Sequence, residues 1–390
     1  QALVLQGEQS VQKELALQGS QYLQKFGRKF LVSAQGKTGH ELLTLLLHRM
    51  SNSSQVEREN AIHALQEITR KRIEAQPFDH IQKTLEGLRV KHGVPSAQVS
   101  LSSPALQTLS FGDATAHTYF QVASLSKTVA SAFALEFFAQ RGISLDTKVN
   151  HLFAQTKASF RIGPKNLGDQ VSLRELMNHT ALNMHYVSGA DITKPMPPVT
   201  EWLKQVAVIN PPDSTFAYSG GGFLVLEHLL TEMSGQSVGE LTRGFLQDLG
   251  VKEFNFVAPA ENVPGTVVHF PAFAAGAVGT AHGMHQFLQH LTHAFTEPTG
   301  SGVISHETAR RMLHGFDKGC QKFMGALMGL GVFIGEAGEN RFMIHQGAND
   351  GFRALYLHCF QGPDNGKGLV VLARGELNAV LFIAEVAQEI

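Results

Sequence analysis

The sequence predicts an α/β (α+β) fold: one antiparallel sheet assembled from both ends of a domain, flanked by helices, with a helical subdomain inserted and a helical extension in front. Three observations carry this. Alternating, β-rich stretches occur just after Pro95 and then only beyond residue 330. The long stretch between them reads as helices and loops. Residues 1–75 differ from both in being rich in Gln, Glu, Lys and Arg, poor in Pro, and apolar at helical spacing. Strands at the two ends of a helical middle form one sheet only if the ends meet in space. The expected division is a helical extension at 1–75 and a main domain at 76–390. The sheet part of that domain takes about 76–123 and 331–390, and the helical part about 124–330.

Each element has a local reason. In the extension Leu15, Tyr22, Leu23, Phe26 and Phe30 fall on one helical face. SNSS at 51–54 is a cap and break, after which a further helical pattern runs to HGV at 92–94. AQVSLSS and QTLSFGDA are short strands separated by a turn. An apolar helix follows Ser124, with Val129, Phe133 and Phe137 at i+4 spacing and Ala130, Ala134 and Phe138 beside them. Such a helix is apolar nearly all round and is expected to be buried. A loop rich in Pro and Gly is expected near 162–168 and a Pro-rich loop at 195–198. LGVFIG, RFMIHQG, GFRALYLHCF and GLVVLAR then read as strands, and a last apolar helix as roughly 376–389.

Bulk properties exclude several classes. The 390 residues are 43% hydrophobic and 17% charged, as in a globular chain rather than a disordered one. A formal net charge of −1, from 32 basic and 33 acidic residues, does not attract nucleic acid or an anionic membrane. The longest apolar stretches fall far short of the ~20 residues a spanning helix needs. The chain begins at Gln1 rather than Met, as expected of a processed or trimmed product, so the lack of a visible signal peptide carries no weight. The compartment (periplasmic, secreted or cytoplasmic) stays open. Cys320 and Cys359 could pair only if the fold brings them together. Asn52-Ser53-Ser54 and Asn178-His179-Thr180 match the glycosylation sequon.

The candidate chemistry starts at Ser124-Leu125-Ser126-Lys127, an S-x-x-K. A lysine at the start of a buried helix is costly unless paired or deprotonated. Three residues apart on one face, its amine lies near the Ser124 hydroxyl, and desolvation lowers its pKa toward that of a useful base. The bland alternative is a serine N-cap with a lysine that reaches solvent. A second S-x-x-K, Ser10–Lys13, lies in a polar stretch without such context. Tyr218 stands in a Gly-rich turn before an apolar helix, where a phenol could shuttle a proton or simply pack. His345 is read as ending a strand, with Gly347 allowing a substrate backbone to approach.

Three decoys are set aside. Gly235–Gly239 fits G-x-S-x-G, but what precedes it reads as a helix ending at Gly, not the strand that a nucleophile elbow requires. Lys37-Thr38-Gly39 is a literal K-T-G in the helical extension. Histidines 282, 285, 290 and 293 lack a carboxylate at ligand spacing and read as a solvated helix face, so no metal and no cofactor is expected.

In chain order, S-x-x-K, then Tyr-Ser-Gly, then His-x-Gly resembles the serine β-lactamase and penicillin-binding protein superfamily, most closely its class C-like branch. RGISLDTKV, SLRELMNHTALN and AAGAVGTAHGMHQFL resemble further segments of that family, and the likeness runs from about 80 to 390. The resemblance implies a β-lactamase/transpeptidase-like fold and an acyl-enzyme on Ser124, with Lys127 and Tyr218 shuttling its proton. It implies that His345 replaces the lysine of K-T-G, and that the N–H groups of Ser124 and Ala348 form an oxyanion hole beside Gly347. Two positions depart from the pattern. Gly220 stands where β-lactamases carry the Asn that bonds the substrate amide, and Gly283 where the family usually has Asp.

The expected function is therefore a serine hydrolase of a carboxylic ester or small amide. Alternatives are a β-lactamase, a D,D-carboxypeptidase or D-aminopeptidase, an acyltransferase, and a non-catalytic binding module that retains the fold. The expected partner is a small-molecule ester, amide or β-lactam, with no nucleic acid and no membrane span. The N-terminal helices are expected to serve oligomerisation or docking.

Overall fold

A computed structural model describes residues 2–32, 34, 37–103, 105–181, 189–195, 197–257, 263–266, 268–299 and 302–390. The chain forms two compact units, Gln1–Leu85 and Glu86–Ile390.

The first unit is helical: α1 (Ala2–Phe26), α2 (Gly39–Met50) and most of α3 (Ser54–His92). Tyr22, Phe26 and Leu46 form its apolar centre, with Leu15, Phe30 and Met50 against them. Leu23, expected on that face, is exposed, one position out of phase with Tyr22 and Phe26. The fully buried Glu57 collects donors from Tyr22, Arg49, Asn52 and Asn60. Burial works to raise its pKa, but these bonds hold it down at about 2. The literal K-T-G is structural here, since Thr38 caps α2 in a capping box with Glu41. Ser10 and Lys13 are both exposed on α1, without the burial that distinguishes Lys127.

The second unit is built on a seven-stranded antiparallel sheet. Its strands are β1 (Ser96–Ser102), β2 (Leu106–Gly112), β3 (Leu327–Met328), β4 (Phe333–Ala337), β5 (Asn340–Asn349), β6 (Phe352–Gln361) and β7 (Gly368–Arg374). The order is β2-β1-β7-β6-β5-β4-β3, so the two ends of the unit meet where β1 pairs with β7, with Val99 opposite Val371. β1, β6 and β7 are buried along nearly their whole length, as strands covered on both faces must be.

The intervening chain is mostly helical. It includes α4 (Ser126–Ala139), α5 (Gly220–Ser234), α6 (Val238–Asp248) and α7 (Ala281–Thr296), and α8 (Leu377–Glu389) closes the unit. The expected loop at 162–168 contains a short helix, Lys165–Gly168, whose start follows Pro164. The 195–198 loop is described except at 196, and 182–183 at the tail of SLRELMNHTALN lie outside the described residues.

Several expectations about side chains change. His345 is interior to β5, which runs on to Asn349, because the turn comes at Asp350 and Gly351 rather than at Gly347. His285 does not face solvent. It is buried under β1, with Nδ1 3.1 Å from Ser100 Oγ and Nε2 2.9 Å from Ser102 Oγ. Burial lowers its pKa to about 4, and that of the neighbouring buried His358 to about 3. Among the described residues no His, Cys, Asp and Glu group is placed to hold a metal. Asn178 and Thr180 are buried and bonded to each other, so that sequon is closed in the folded chain. Cys320 and Cys359 are both free and buried. The G-x-S-x-G is a helix junction, with Gly235 ending α5 in the left-handed region and Ser237 capping α6.

Candidate active site

The site begins with a tight turn, Ala123–Leu125, between the short strand Phe120–Gln121 and α4. Ala123 is held at φ +49°, a conformation that costs a non-glycine residue roughly 1–2 kcal/mol. Its surroundings enforce it. Val122 N donates to Ala277 O at 3.1 Å, Ser126 Oγ to Ala123 O at 2.5 Å, and Ala277 N to Ser126 Oγ at 3.1 Å. The turn leaves Ser124 half-buried at the mouth of α4, while every residue from Ser126 to Leu135 is buried.

Lys127 is one of those residues, 2% exposed. Its Nζ lies 3.1 Å from Ser124 Oγ and also donates to Ala274 O. Among the described residues no carboxylate pairs with it, and burial lowers its pKa from 10.5 to about 7. The Tyr218 ring centroid lies 5.0 Å from the same Nζ.

Tyr218 is placed by His179, a residue that sequence reasoning quoted but gave no task. His179 O accepts from Ala217 N at 2.7 Å and its Nδ1 from Ser219 N at 3.1 Å, so it grips the chain on both sides of the tyrosine. The imidazole also packs 4.4 Å from the phenol ring, centroid to centroid. Ser219 caps α5 through Gly222 N, and a Cβ at Gly222 would sit 2.5 Å from Leu176 O. Gly220 is buried in the first turn of α5 and is not among the residues lining the cavity described below.

His345 lies beyond Tyr218, with ring centroids 6.2 Å apart. Its Nδ1 is 2.8 Å from Gln346 O and therefore carries the proton, leaving Nε2 a buried acceptor without a hydrogen-bond partner. Burial first, then the Lys127 charge, lowers its pKa to about 3, so the ring is neutral. Two positions on, β5 packs on the serine turn. A Cβ at Gly347 would meet Val122 O at 2.6 Å, which is why this position has none. The next residue, Ala348, comes to the same cavity as Ser124.

Sequence reasoning missed Glu227 as well, although a lone acid inside the apolar run FLVLEHLL was a visible signal. Its Oε2 accepts Phe273 N at 2.8 Å, and Ala272 N bonds the same carboxyl. Burial raises its pKa to about 7. The wide, π-helical turn Ala272–Gly276 that it anchors presents Ala274 O to Lys127 and Ala275 O to Asn349 Nδ2.

Ser124, Tyr218, His345, Gly347 and Ala348 line one cavity of about 370 Å³. A larger depression of about 860 Å³, rimmed by Lys148, His151, Arg161 and Lys165, shares none of these residues. A half-buried serine beside an amine that burial brings near neutrality, in a cavity with a phenol and a neutral imidazole, is equipped for nucleophilic acyl transfer.

The family comparison fits this arrangement. The Beta-lactamase family model matches residues 81–384. The chain belongs to the Beta-lactamase family. The penicillin-binding protein 4 of Amycolatopsis lactamdurans is 23% identical over 183 residues, which cover 43% of this chain and 46% of that protein. The match therefore spans about half the length of that curated relative.

Solved structures share the β-lactamase fold. SurE with D-Leu superposes with a TM-score of 0.63 at 21% identity, covering 80% of this chain and 74% of that one. The D-amino acid amidase from Ochrobactrum anthropi SV3, with L-phenylalanine amide, gives 0.60 at 17%, covering 80% and 99%. Residues 1–74 match a different family model, OHCU decarboxylase.

Proposed function

We propose that this β-lactamase-family chain is a serine hydrolase that cleaves a carboxylic ester or small amide through an acyl-enzyme on Ser124. One observation carries the reading: the Ser124 hydroxyl lies 3.1 Å from an amine that burial holds near pKa 7. The neutral Lys127 takes the hydroxyl proton as Oγ attacks the carbonyl carbon, and the carbonyl electron pair moves onto oxygen. The N–H groups of Ser124 and Ala348 would receive that oxyanion. The intermediate collapses, and the leaving group departs with a proton relayed from Lys127 through Tyr218. His345 Nε2, an acceptor, would orient the phenol or the substrate. Water then attacks the acyl-enzyme, and its proton returns along the same path to free Ser124.

Gly220 offers no side chain to bond a substrate amide, which weighs against a dedicated β-lactamase. The amidase among the structural neighbours keeps small amides in view beside esters. Labelling with a fluorophosphonate and intact-mass analysis tests the proposal: wild type gains one adduct at Ser124 and Ser124→Ala gains none. Short-chain nitrophenyl esters are expected to turn over faster than a chromogenic cephalosporin. Absence of both labelling and ester turnover would overturn the reading.

A further inference from the structure

The cavity beside Ser124 has two walls of different chemistry. One carries the nucleophile with Tyr218, His345 and Phe323, whose ring stacks on Tyr218, and the other, reached around the edge of β5, is largely apolar, built from Leu355 and one stripe of α8. Val380, Ile383, Ala384 and Ala387 reach the cavity from i, i+3, i+4 and i+7, the spacing of one helical face. Both sides carry apolar surface out to solvent, where Phe323 is 47% and Val380 44% exposed. Large apolar side chains grouped at the mouth of a cavity mark a surface that a ligand covers.

Charge points the same way. The one ionised side chain among the lining residues is Arg353, and three of its five N–H donors are used within the protein. Its Nη1 donates to Asn349 O at 2.6 Å and Phe352 O at 2.7 Å, and its Nη2 pairs with Glu376. A substrate carboxylate arriving here would have to compete with Glu376 for a guanidinium already ion-paired, and would desolvate against hydrocarbon. We infer that the part of the substrate lying against α8 is a neutral, apolar alkyl or aryl chain, and that Val380, Ile383, Ala384 and Ala387 set its accepted length. This rests on the acyl-enzyme reading of Ser124.

The test is the rate at which Ser124 is labelled by alkyl fluorophosphonates. In each, Oγ bonds to phosphorus, fluoride leaves and Lys127 takes the proton. The rate is expected to rise about threefold to fourfold per methylene, the value of a buried CH₂. A reagent of equal length ending in a carboxylate is expected to react at least about tenfold more slowly, as for a buried unpaired charge. Ala384→Trp, checked for folding by its melting temperature, flattens the chain-length series. Glu376→Gln releases Arg353 and speeds the carboxylate-ended reagent. A flat series in wild type, or equal rates for the neutral and charged reagents, overturns the inference while leaving the acyl-enzyme intact. No labelling by any reagent, the methyl one included, defeats the acyl-enzyme reading and this inference with it.

Discussion

At the scale of single residues, the proposed chemistry turns on Lys127. An ordinary lysine is almost wholly protonated at neutral pH, whereas one with a pKa of about 7 is a free amine in about half of the molecules. The free amine is the active form, so kcat/KM is expected to rise with pH along an acid limb centred near 7. His345 cannot supply that limb, since its pKa lies near 3. A pH–rate profile measured on a nitrophenyl ester checks this, and a limb near 10, where unperturbed lysines titrate, would sink the assignment. The same shift has a sign for stability. Between pH 7 and 10.5 the unfolded chain binds the proton more tightly than the folded one, so the cost of burying Lys127 shrinks as pH rises through that window.

At the scale of elements, the turn Ala272–Gly276 connects groups from distant parts of the sequence. Glu227 on α5 fixes its first two N–H groups, and its carbonyls then reach Lys127 and Asn349. Glu227→Gln keeps an acceptor and is expected to stay active. Glu227→Leu strands two part-buried donors, at up to roughly 1–3 kcal/mol each, and is expected to lower both melting temperature and kcat. A Leu variant with wild-type kcat would remove Glu227 from the positioning role. The strands were legible because alternation and Gly or Asn-Gly punctuation are local signals. Ser124, Lys127, Tyr218 and His345 were legible as an ordered set, and the fold places all four together. His285 and Glu227 were not, because periodicity tells which face of a helix a side chain occupies but not what covers it. Ser100 and Ser102 on β1, and the N–H groups of 272–273, are supplied by chain segments far away in sequence.

At the scale of the whole molecule, every candidate site residue lies in the unit Glu86–Ile390. Residues 1–74 match another family model and contribute none of them. Deleting 1–75 is therefore expected to leave the Ser124 labelling rate unchanged, and a large loss of labelling by a folded truncated protein would give the first unit a part in catalysis.

The pairing of β1 with β7 also bears on how the protein is made. Synthesis delivers Ser124 and Lys127 early, yet the strand that braces their turn and the strand that closes the sheet come almost last. Thr128 bonds Tyr356 across 228 positions, and Gly347 rests on the turn from a comparable distance. Such distant contacts form late. On the proposed mechanism, a nascent chain thus carries its nucleophile without the pocket that would make it reactive, and hydrolytic competence arrives only with the final strands.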